Sequence, residues 1–173
     1  MDTITLKADA GFEQVMEFYM PMVYRIAVTR IGSRIDAEDI TQDVFVRYFK
    51  IEPKFDSEDH RKAWFIRCTI NHANNYAASA WFKHRTNGIR LENMPKYDNG
   101  MDDVPDRIEQ RASVMAAVMR LPKKYRTVVH LFYFEDMSVA DICQAVGAKE
   151  STVKSQLKRA RDMLRPMLEE VDF

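Results

Sequence analysis

Two helices separated by a glycine are the feature that most restricts the fold of this chain. Apolar residues recur at helical spacing along Met137–Leu168, on both sides of Gly147. Ser138 and Asp141 form a capping-box pattern at the start of the first helix. A glycine at position 147 permits the left-handed backbone that ends a helix and reverses the chain. The stretch is therefore predicted to fold as a helical hairpin.

The second helix of this hairpin has an apolar face and a basic face. The outer face carries hydroxyl-bearing and basic side chains: Ser151, Lys154, Ser155, Lys158, Arg161 and Arg165. A short helix, a glycine turn and a longer basic helix are typical of a helix-turn-helix DNA-binding unit. The alternative is an ordinary helical hairpin with a solvated charged face.

Charge is unevenly distributed along the chain. The 26 basic and 26 acidic residues give a net charge of zero, which by itself argues against a nucleic-acid-binding protein. However, residues 61–90 hold six basic and no acidic side chains, and residues 149–165 hold six basic and two acidic. Residues 1–60 and 91–110 are acidic in balance. The two basic segments predict two contacts with a polyanion, unless they reflect chance clustering on helix surfaces.

Composition excludes several classes of protein. A length of 173 residues with only five Gly favours one larger or two small helical domains. No apolar stretch is long enough to cross a membrane and the acidic start lacks a signal-peptide pattern, so we expect a cytoplasmic protein without direct membrane insertion. The two Cys and four His show no metal-ligand spacing. We therefore expect neither a metal nor another cofactor.

The N-terminal part is predicted to contain two helices, Phe12–Ile31 and Ile35–Ile51, with Asp36 capping the second. The buried side of the second helix is predicted to carry Ala37, Ile40, Val44, Tyr48 and Ile51. Its outer side is predicted to carry Asp39, Gln42, Asp43 and Lys50, together with the apolar Val46 and Phe49. Apolar side chains on a polar face indicate a docking surface for another protein. The alternative is that Phe49 packs under a loop and Val46 is simply exposed.

A third helix is predicted from about His60 to at least Tyr76. One side of it groups a large aromatic with amides and a cation: Trp64, Arg67, Asn71 and Asn75. Such a mixture suits stacking on bases and hydrogen bonding to their edges where a duplex is opened. The next segment, Ala77–Arg85, again interleaves aromatic and basic residues. A packed helix end is the alternative for both.

Residues 86–106 have no sustained periodicity and are predicted to link two domains. Further helices are predicted over Arg107–Arg120 and Lys123–Phe134, with Pro122 in the first turn of the latter. The helical hairpin follows them.

Three motifs, in this order, resemble the extracytoplasmic-function sigma factors, which are two-domain initiation subunits of bacterial RNA polymerase. DAEDITQDVFVRYF resembles their polymerase-docking segment, and AWFIRCTINHANNY resembles their promoter-melting segment. LPKKYRTVVHLFYFEDMS and STVKSQLKRAR resemble the start and the recognition helix of their fourth domain. Lys149, in contrast, stands where a serine cap is usual, so the recognition helix is expected to start at Ser151 or to lack a strong cap.

The resemblance implies an all-α fold of two small helical domains joined by a flexible linker, with domains at 1–85 and 107–173 and the linker at 86–106. It implies a sigma factor without enzymatic activity. Its first partner would be core RNA polymerase, which it would bind at the clamp region and the flap. Its second would be promoter DNA, which would be double-stranded upstream and single-stranded in the melted region. Its third would be an anti-sigma protein able to hold it at the inner face of the membrane.

Pattern and resemblance together give the expected site residues. Polymerase binding is expected at Asp39, Gln42, Asp43, Val46 and Phe49. DNA binding is expected in the first domain at Trp64, Arg67, Asn71, Asn75, Tyr76, Trp81, Phe82, Lys83 and Arg85. It is expected in the second at Arg126, Ser151, Thr152, Lys154, Ser155, Lys158, Arg159 and Arg161, with Arg165 a further phosphate contact.

Two other functions are compatible with parts of the sequence. A stand-alone helix-turn-helix regulator with a helical dimerisation or sensor domain would bind its promoter without polymerase. A nuclease would use Asp36, Glu38, Asp39 and Asp43 to hold metal, although no matching His or Lys accompanies these carboxylates.

Overall fold

The computed structural model describes residues 11–79 and 105–169, with only the backbone described for 105–112. These residues form seven helices and no strand, which confirms the all-α prediction. The helices are α1 (Phe12–Ile31), α2 (Arg34–Ile51), α3 (Glu58–Ala78), α4 (Pro105–Arg120), α5 (Lys123–Tyr133), α6 (Val139–Val146) and α7 (Glu150–Glu169). Residues 86–104 of the predicted linker and both ends of the chain lie outside the described residues, and α4 begins at Pro105, two residues before the predicted Arg107.

Helix α2 begins earlier than predicted, because Ser33 and not Asp36 caps it. The Ser33 hydroxyl accepts a hydrogen bond from the Asp36 backbone N–H at 3.4 Å. Asp36 is then the third residue of the helix and only 5% exposed, and its carboxylate accepts a hydrogen bond from the Tyr76 hydroxyl at 2.6 Å. The expected cap is therefore a buried link between α2 and α3.

Other helix ends follow the caps in the sequence with small shifts. The Ser57 hydroxyl accepts from the His60 N–H at 3.1 Å, so α3 starts two residues before the predicted His60. Pro122 is the residue before α5 and not its first-turn residue. Both internal prolines, Pro21 and Pro166, lie within continuous helices.

The hairpin forms as predicted. The Ser138 hydroxyl accepts from the Asp141 N–H at 3.1 Å, and Gly147 ends α6 with a left-handed φ of 66°. Helix α7 starts at Glu150, one residue before the expected Ser151. Its first turn is held by the Lys149 carbonyl, which accepts from the Val153 N–H at 3.0 Å.

One apolar core runs through both helical groups. In the N-terminal group α1 packs on α2 and α3, and its core includes Tyr19, Ile40 and Phe65. In the C-terminal group α5 packs on α7, and its core includes Leu131 and Leu157. The groups meet where α5 packs on α1 and α6 packs on α3.

Ile51 does not join the core, contrary to prediction. Its side chain is 51% exposed, whereas Ala37, Ile40 and Val44 are fully buried. Ile51 is the last residue of α2, and Glu52 then takes a left-handed φ of 47° that turns the chain away.

Candidate polymerase and promoter-DNA interfaces

Three surfaces carry most of the predicted site residues that the structure describes, and the first is an apolar groove between α1 and α2. It has a volume of 790 Å³. Its lining comes from both helices: Phe12, Met16, Glu17, Met20, Pro21, Tyr24, Glu38, Thr41, Gln42, Phe45, Val46 and Phe49. The groove contains three of the five residues predicted to bind polymerase.

Phe49 and Val46 remain accessible on this groove. Phe49 is 62% exposed and Val46 42% exposed. The Phe49 ring meets the Phe12 ring edge-to-face, with centroids 5.4 Å apart. No loop covers Phe49 among the described residues, so its packing partner leaves most of the ring open.

Two acidic side chains line this otherwise apolar surface. Glu17 and Glu38 line it from opposite helices. Asp39 and Asp43 are exposed on α2 without lining the groove. The groove is thus suited to a segment that presents apolar residues with basic neighbours.

The second surface is a polar pocket of 600 Å³ where α3 lies beside α2. Its lining residues are Arg47, Trp64, Arg67, Cys68, Asn71, His72, Asn74 and Asn75. All four residues predicted on the polar side of α3 are therefore brought together. Two guanidinium groups, an indole and three amides can bind phosphate, stack on a base and hydrogen-bond to its edge.

Trp64 is held by a cluster of rings and is only half-buried. Its ring lies edge-on to Tyr48, Phe55 and Phe65, at centroid distances of 5.8, 6.1 and 5.2 Å. Ring contacts of this kind fix the orientation of the indole while leaving part of it accessible. Trp64 is therefore both a core residue and a pocket residue, which combines the two alternatives drawn from the sequence.

Burial shifts the pKa of two ionisable side chains in the pocket. Burial lowers the pKa of His72, and Asp43 opposes this shift while Arg47 adds to it. Burial raises the pKa of the Cys68 thiol to about 11. The pocket therefore favours a neutral imidazole and an unreactive thiol.

The third surface is the outer face of α7. All the residues predicted there are exposed: Ser151, Thr152, Lys154, Ser155, Lys158, Arg159, Arg161 and Arg165. The opposite face is buried through Val153, Leu157, Ala160 and Leu164.

Several polar groups on α7 already have partners within the chain. Lys154 forms an ion pair with Glu150 at 2.5 Å, and the Ser155 hydroxyl donates to the Thr152 carbonyl at 2.9 Å. A hydrogen bond from Arg159 lowers the pKa of Tyr125. Binding DNA through Lys154 would therefore compete with an exposed ion pair.

Comparison with known proteins agrees with this geometry. Residues 15–83 match the family model for Sigma-70 region 2, and residues 111–164 match that for Sigma-70, region 4. The sigma factor SigW of Bacillus subtilis is 24% identical over 169 residues, covering 93% of this chain and 90% of SigW. SigE of Mycolicibacterium smegmatis is 30% identical over 165 residues, covering 91% of this chain and 62% of SigE. The chain belongs to the extracytoplasmic-function sigma factors.

This sigma factor directs promoter-specific transcription by RNA polymerase. Its fold also matches solved structures. The sigma factor RpoE of Bartonella quintana, in complex with the anti-sigma factor NepR, superposes with a TM-score of 0.67 at 20% identity, covering 94% of this chain and 98% of RpoE. CnrH, in complex with the cytosolic domain of CnrY, gives a TM-score of 0.57 at 20% identity, covering 93% and 89%.

Arg126 of this sigma factor does not reach the DNA-facing surface, contrary to prediction. It is 3% exposed. Its guanidinium donates to the backbone carbonyls of Met119 and Arg30, both at 3.3 Å. Burial, and then the charge of Arg30, lowers its pKa. Arg126 therefore joins helices within the chain, and in this arrangement its guanidinium is not accessible to a phosphate.

Tyr76 lies apart from the residues predicted to act with it. Its hydroxyl donates to Asp36, and it does not line the α3 pocket. The same hydrogen bond engages one carboxylate of the proposed nuclease site. Four more predicted DNA-binding residues, Trp81, Phe82, Lys83 and Arg85, lie outside the described residues.

Sequence reasoning missed residues on both N-terminal surfaces. Arg47, on α2, joins the α3 pocket beside Arg67. Met20 and Phe12, on α1, complete the apolar groove. Met20 lies on a helix whose apolar spacing predicted core residues. That spacing alone did not distinguish the exposed Met20 from the buried residues of the same helix.

The described part of the chain contains neither a metal-ligand cluster nor a membrane-spanning helix. In residues 11–79 and 105–169, no group of three or more His, Cys, Asp or Glu side chains is placed to hold a metal ion. None of the helices there has the length and apolar character needed to cross a membrane.

Proposed function

We propose that this sigma factor docks on core RNA polymerase through the α1–α2 groove and contacts promoter DNA through the α3 pocket and α7. The observation that carries the proposal is the presence, on one chain, of an accessible apolar groove beside two polar, cation-bearing surfaces. A DNA-binding protein that binds no other protein chain has no need of the groove. The division into domains at 1–85 and 107–173 is part of the proposal.

The groove would bind the clamp region of core polymerase. Phe49, Val46 and Met20 offer apolar surface that docking removes from water. Asp39 and Asp43 would pair with basic residues at the rim, where charges govern orientation and association rate more than affinity.

The α3 pocket would hold the melted non-template strand near the minus-ten element. Trp64 provides a ring face for stacking, and Asn71 and Asn75 provide amides for base edges. Arg47 and Arg67 would bind the neighbouring phosphates. Such contacts favour the opened strand because a paired base does not expose its Watson–Crick edge.

Helix α7 would lie in the major groove of the minus-thirty-five element. Ser151, Lys154, Ser155 and Lys158 are exposed in its first turns, which are the part of a recognition helix that reaches base edges. Arg159 and Arg161 would add phosphate contacts that strengthen binding without reading sequence.

We further propose that this sigma factor has no catalytic activity, since nucleotide addition is the reaction of core polymerase. We also propose that it works in the cytoplasm. An anti-sigma protein is its proposed inhibitor and could hold it at the inner face of the membrane. The complexes of RpoE with NepR and of CnrH with CnrY support such a partner.

The discriminating experiment compares promoter binding with and without core polymerase. Promoter fragments selected from a random library by the complex are titrated with the sigma factor alone and with the preformed complex. We expect weak specific binding alone and strong binding with core. Equally tight specific binding without core would instead identify a stand-alone helix-turn-helix regulator.

A further inference from the structure

Three cationic side chains converge where the start of α5 meets the end of α1. Lys123 and Arg126 lie in the first turn of α5, and Arg30 is the next-to-last residue of α1. The Arg30 guanidinium donates to the Thr127 hydroxyl at 2.9 Å, and that hydroxyl donates to the Lys123 carbonyl at 2.8 Å. Arg126 donates to the Arg30 carbonyl at 3.3 Å. Arg30, Lys123 and Arg126 therefore form one group, the cation cluster.

No acidic side chain balances the cation cluster in the part of the chain that the structure describes. Arg25 pairs with Glu135 elsewhere on α1, but no carboxylate pairs with a member of the cluster. Burial lowers the pKa of Lys123, and the charges of Arg30 and Arg126 lower it further. Like charges that are held together away from water are unfavourable unless an opposite charge compensates them.

Several donors near the cluster also lack an acceptor. The Lys123 ammonium has no ion pair or hydrogen bond with any described residue. Arg126 is 3% exposed, and its Nε has no hydrogen-bond partner. Pro122 precedes α5 without a side-chain cap, which leaves the first backbone N–H groups of the helix without a side-chain acceptor. Open donors at the positive end of a helix are typical of an anion-binding site.

An anion can reach this place from solvent. Lys123 and Arg30 are half-buried, whereas Arg126 is buried and adds positive charge from the interior. A phosphate group offers several acceptor oxygens, which suit a guanidinium, an ammonium and helix N–H groups together. None of the three cations lines the α3 pocket, so the place is separate from the surface proposed to hold the melted strand.

We propose that Lys123, Arg30 and the N-terminus of α5 bind a phosphate-bearing anion, which is either inorganic phosphate or the phosphate chain of a nucleotide. The bound anion supplies the negative charge that the chain itself does not provide to the cation cluster. The site belongs to the free sigma factor, and none of its tests requires polymerase or a promoter. Its outcome is therefore independent of the proposed function.

Isothermal titration calorimetry of the full chain with inorganic phosphate tests the site at about pH 8, where phosphate is mainly a dianion. Sodium chloride keeps the ionic strength constant, and we expect one phosphate per chain. Lys123→Met keeps the aliphatic stem and should weaken binding by about tenfold. Lys124→Met is the matched control, because Lys124 lies over the Tyr125 ring, 4.9 Å from its centroid. Absence of binding to wild type, or an equal loss in both variants, would overturn the proposal.

Thermal unfolding separates a binding role of Lys123 from a structural one. Without phosphate, Lys123→Met should melt at or above the wild-type temperature, because it removes repulsion from the cluster. Phosphate should raise the melting temperature of wild type by about 3 °C and that of the variant much less. A destabilised Lys123→Met that still responds fully to phosphate would contradict the site, since it identifies a structural lysine.

Lys123→Glu covers the case in which Lys123→Met fails to fold. Its carboxylate is placed beside Arg30 and Arg126, so this variant should melt above wild type without phosphate and should not respond to phosphate. Lys124→Glu adds the same acid to the first turn of α5 and corrects for the general benefit of an acid at a helix N-terminus. This control should keep the phosphate response. A full response in Lys123→Glu overturns the proposal.

Adenosine triphosphate and tripolyphosphate distinguish the two sources of the phosphate group. Tighter binding of the nucleotide identifies a nucleotide ligand, and equal binding identifies inorganic phosphate as the ligand. Both results support the site only if binding weakens in Lys123→Met and persists in Lys124→Met. Binding of neither compound, or binding that is insensitive to Lys123→Met, counts against it.

Discussion

Truncation of Phe49 is the sharpest test of the polymerase-docking groove. Phe49 is 62% exposed, so its contribution to the fold is small, but docking would bury what remains open. A phenylalanine ring offers about 200 Å² of surface, so docking would cover up to about 120 Å² of it. At about 25 cal/mol per Å², this amounts to about 3 kcal/mol, of which alanine keeps about a third. Phe49→Ala should therefore weaken binding to core polymerase by about 2 kcal/mol, or about 30-fold.

Ile51→Ala is the matched control for this truncation. Ile51 is 51% exposed on the same helix but does not line the groove. Affinity is measured by fluorescence anisotropy of labelled sigma factor titrated with core, and stability by thermal unfolding. Both variants should melt close to wild type, because each loses mainly exposed surface. Unchanged core affinity in Phe49→Ala, or an equal loss in Ile51→Ala, would refute the assignment of the groove.

Three further predictions concern the DNA surfaces and the pocket. The double variant Lys154→Ala, Lys158→Ala should weaken upstream-element binding while core binding persists, and the slope of log affinity against log salt concentration should fall by about 2 in magnitude. Glu150→Gln removes the ion-pair partner of Lys154 and should strengthen DNA binding, and a gel-shift salt titration measures both effects. Trp64→Ala should cost about 3 kcal/mol of folding stability, because the indole packs on three rings, and should impair permanganate-detected strand opening more than closed-complex formation. Burial lowers the folded pKa of His72 below 6.5, so the unfolded state binds a proton more readily and the fold loses stability as the pH falls from 6.5 towards the folded pKa. Urea unfolding should therefore show a shallower loss of stability below pH 6.5 for His72→Gln than for wild type.

The helices and their ends were largely predictable from local sequence. Ser57, Ser138 and Gly147 act as caps because hydroxyl acceptors and a left-handed glycine are local requirements of a helix end. The start of α2 was less certain, since Ser33 and Asp36 are both capping residues. Only the folded chain, in which Tyr76 engages Asp36, decides between them.

The surfaces were predictable only in part, since they depend on how helices pair. Helical spacing placed Val46 and Phe49 on the outer side of α2, but it could not show that Met20 on α1 faces them across a groove. The same limit applies to Arg126. A basic residue near a DNA-binding unit fits a phosphate contact or a buried hydrogen bond equally well, and its contact with the Arg30 carbonyl arises from long-range packing.

Transcription in vitro tests the central claim most directly. Core polymerase is incubated with a library of random promoter fragments, with and without the sigma factor, and the transcripts are sequenced. The account predicts transcripts that require the sigma factor and that start downstream of two shared elements. Transcription no different from that of core alone would contradict it.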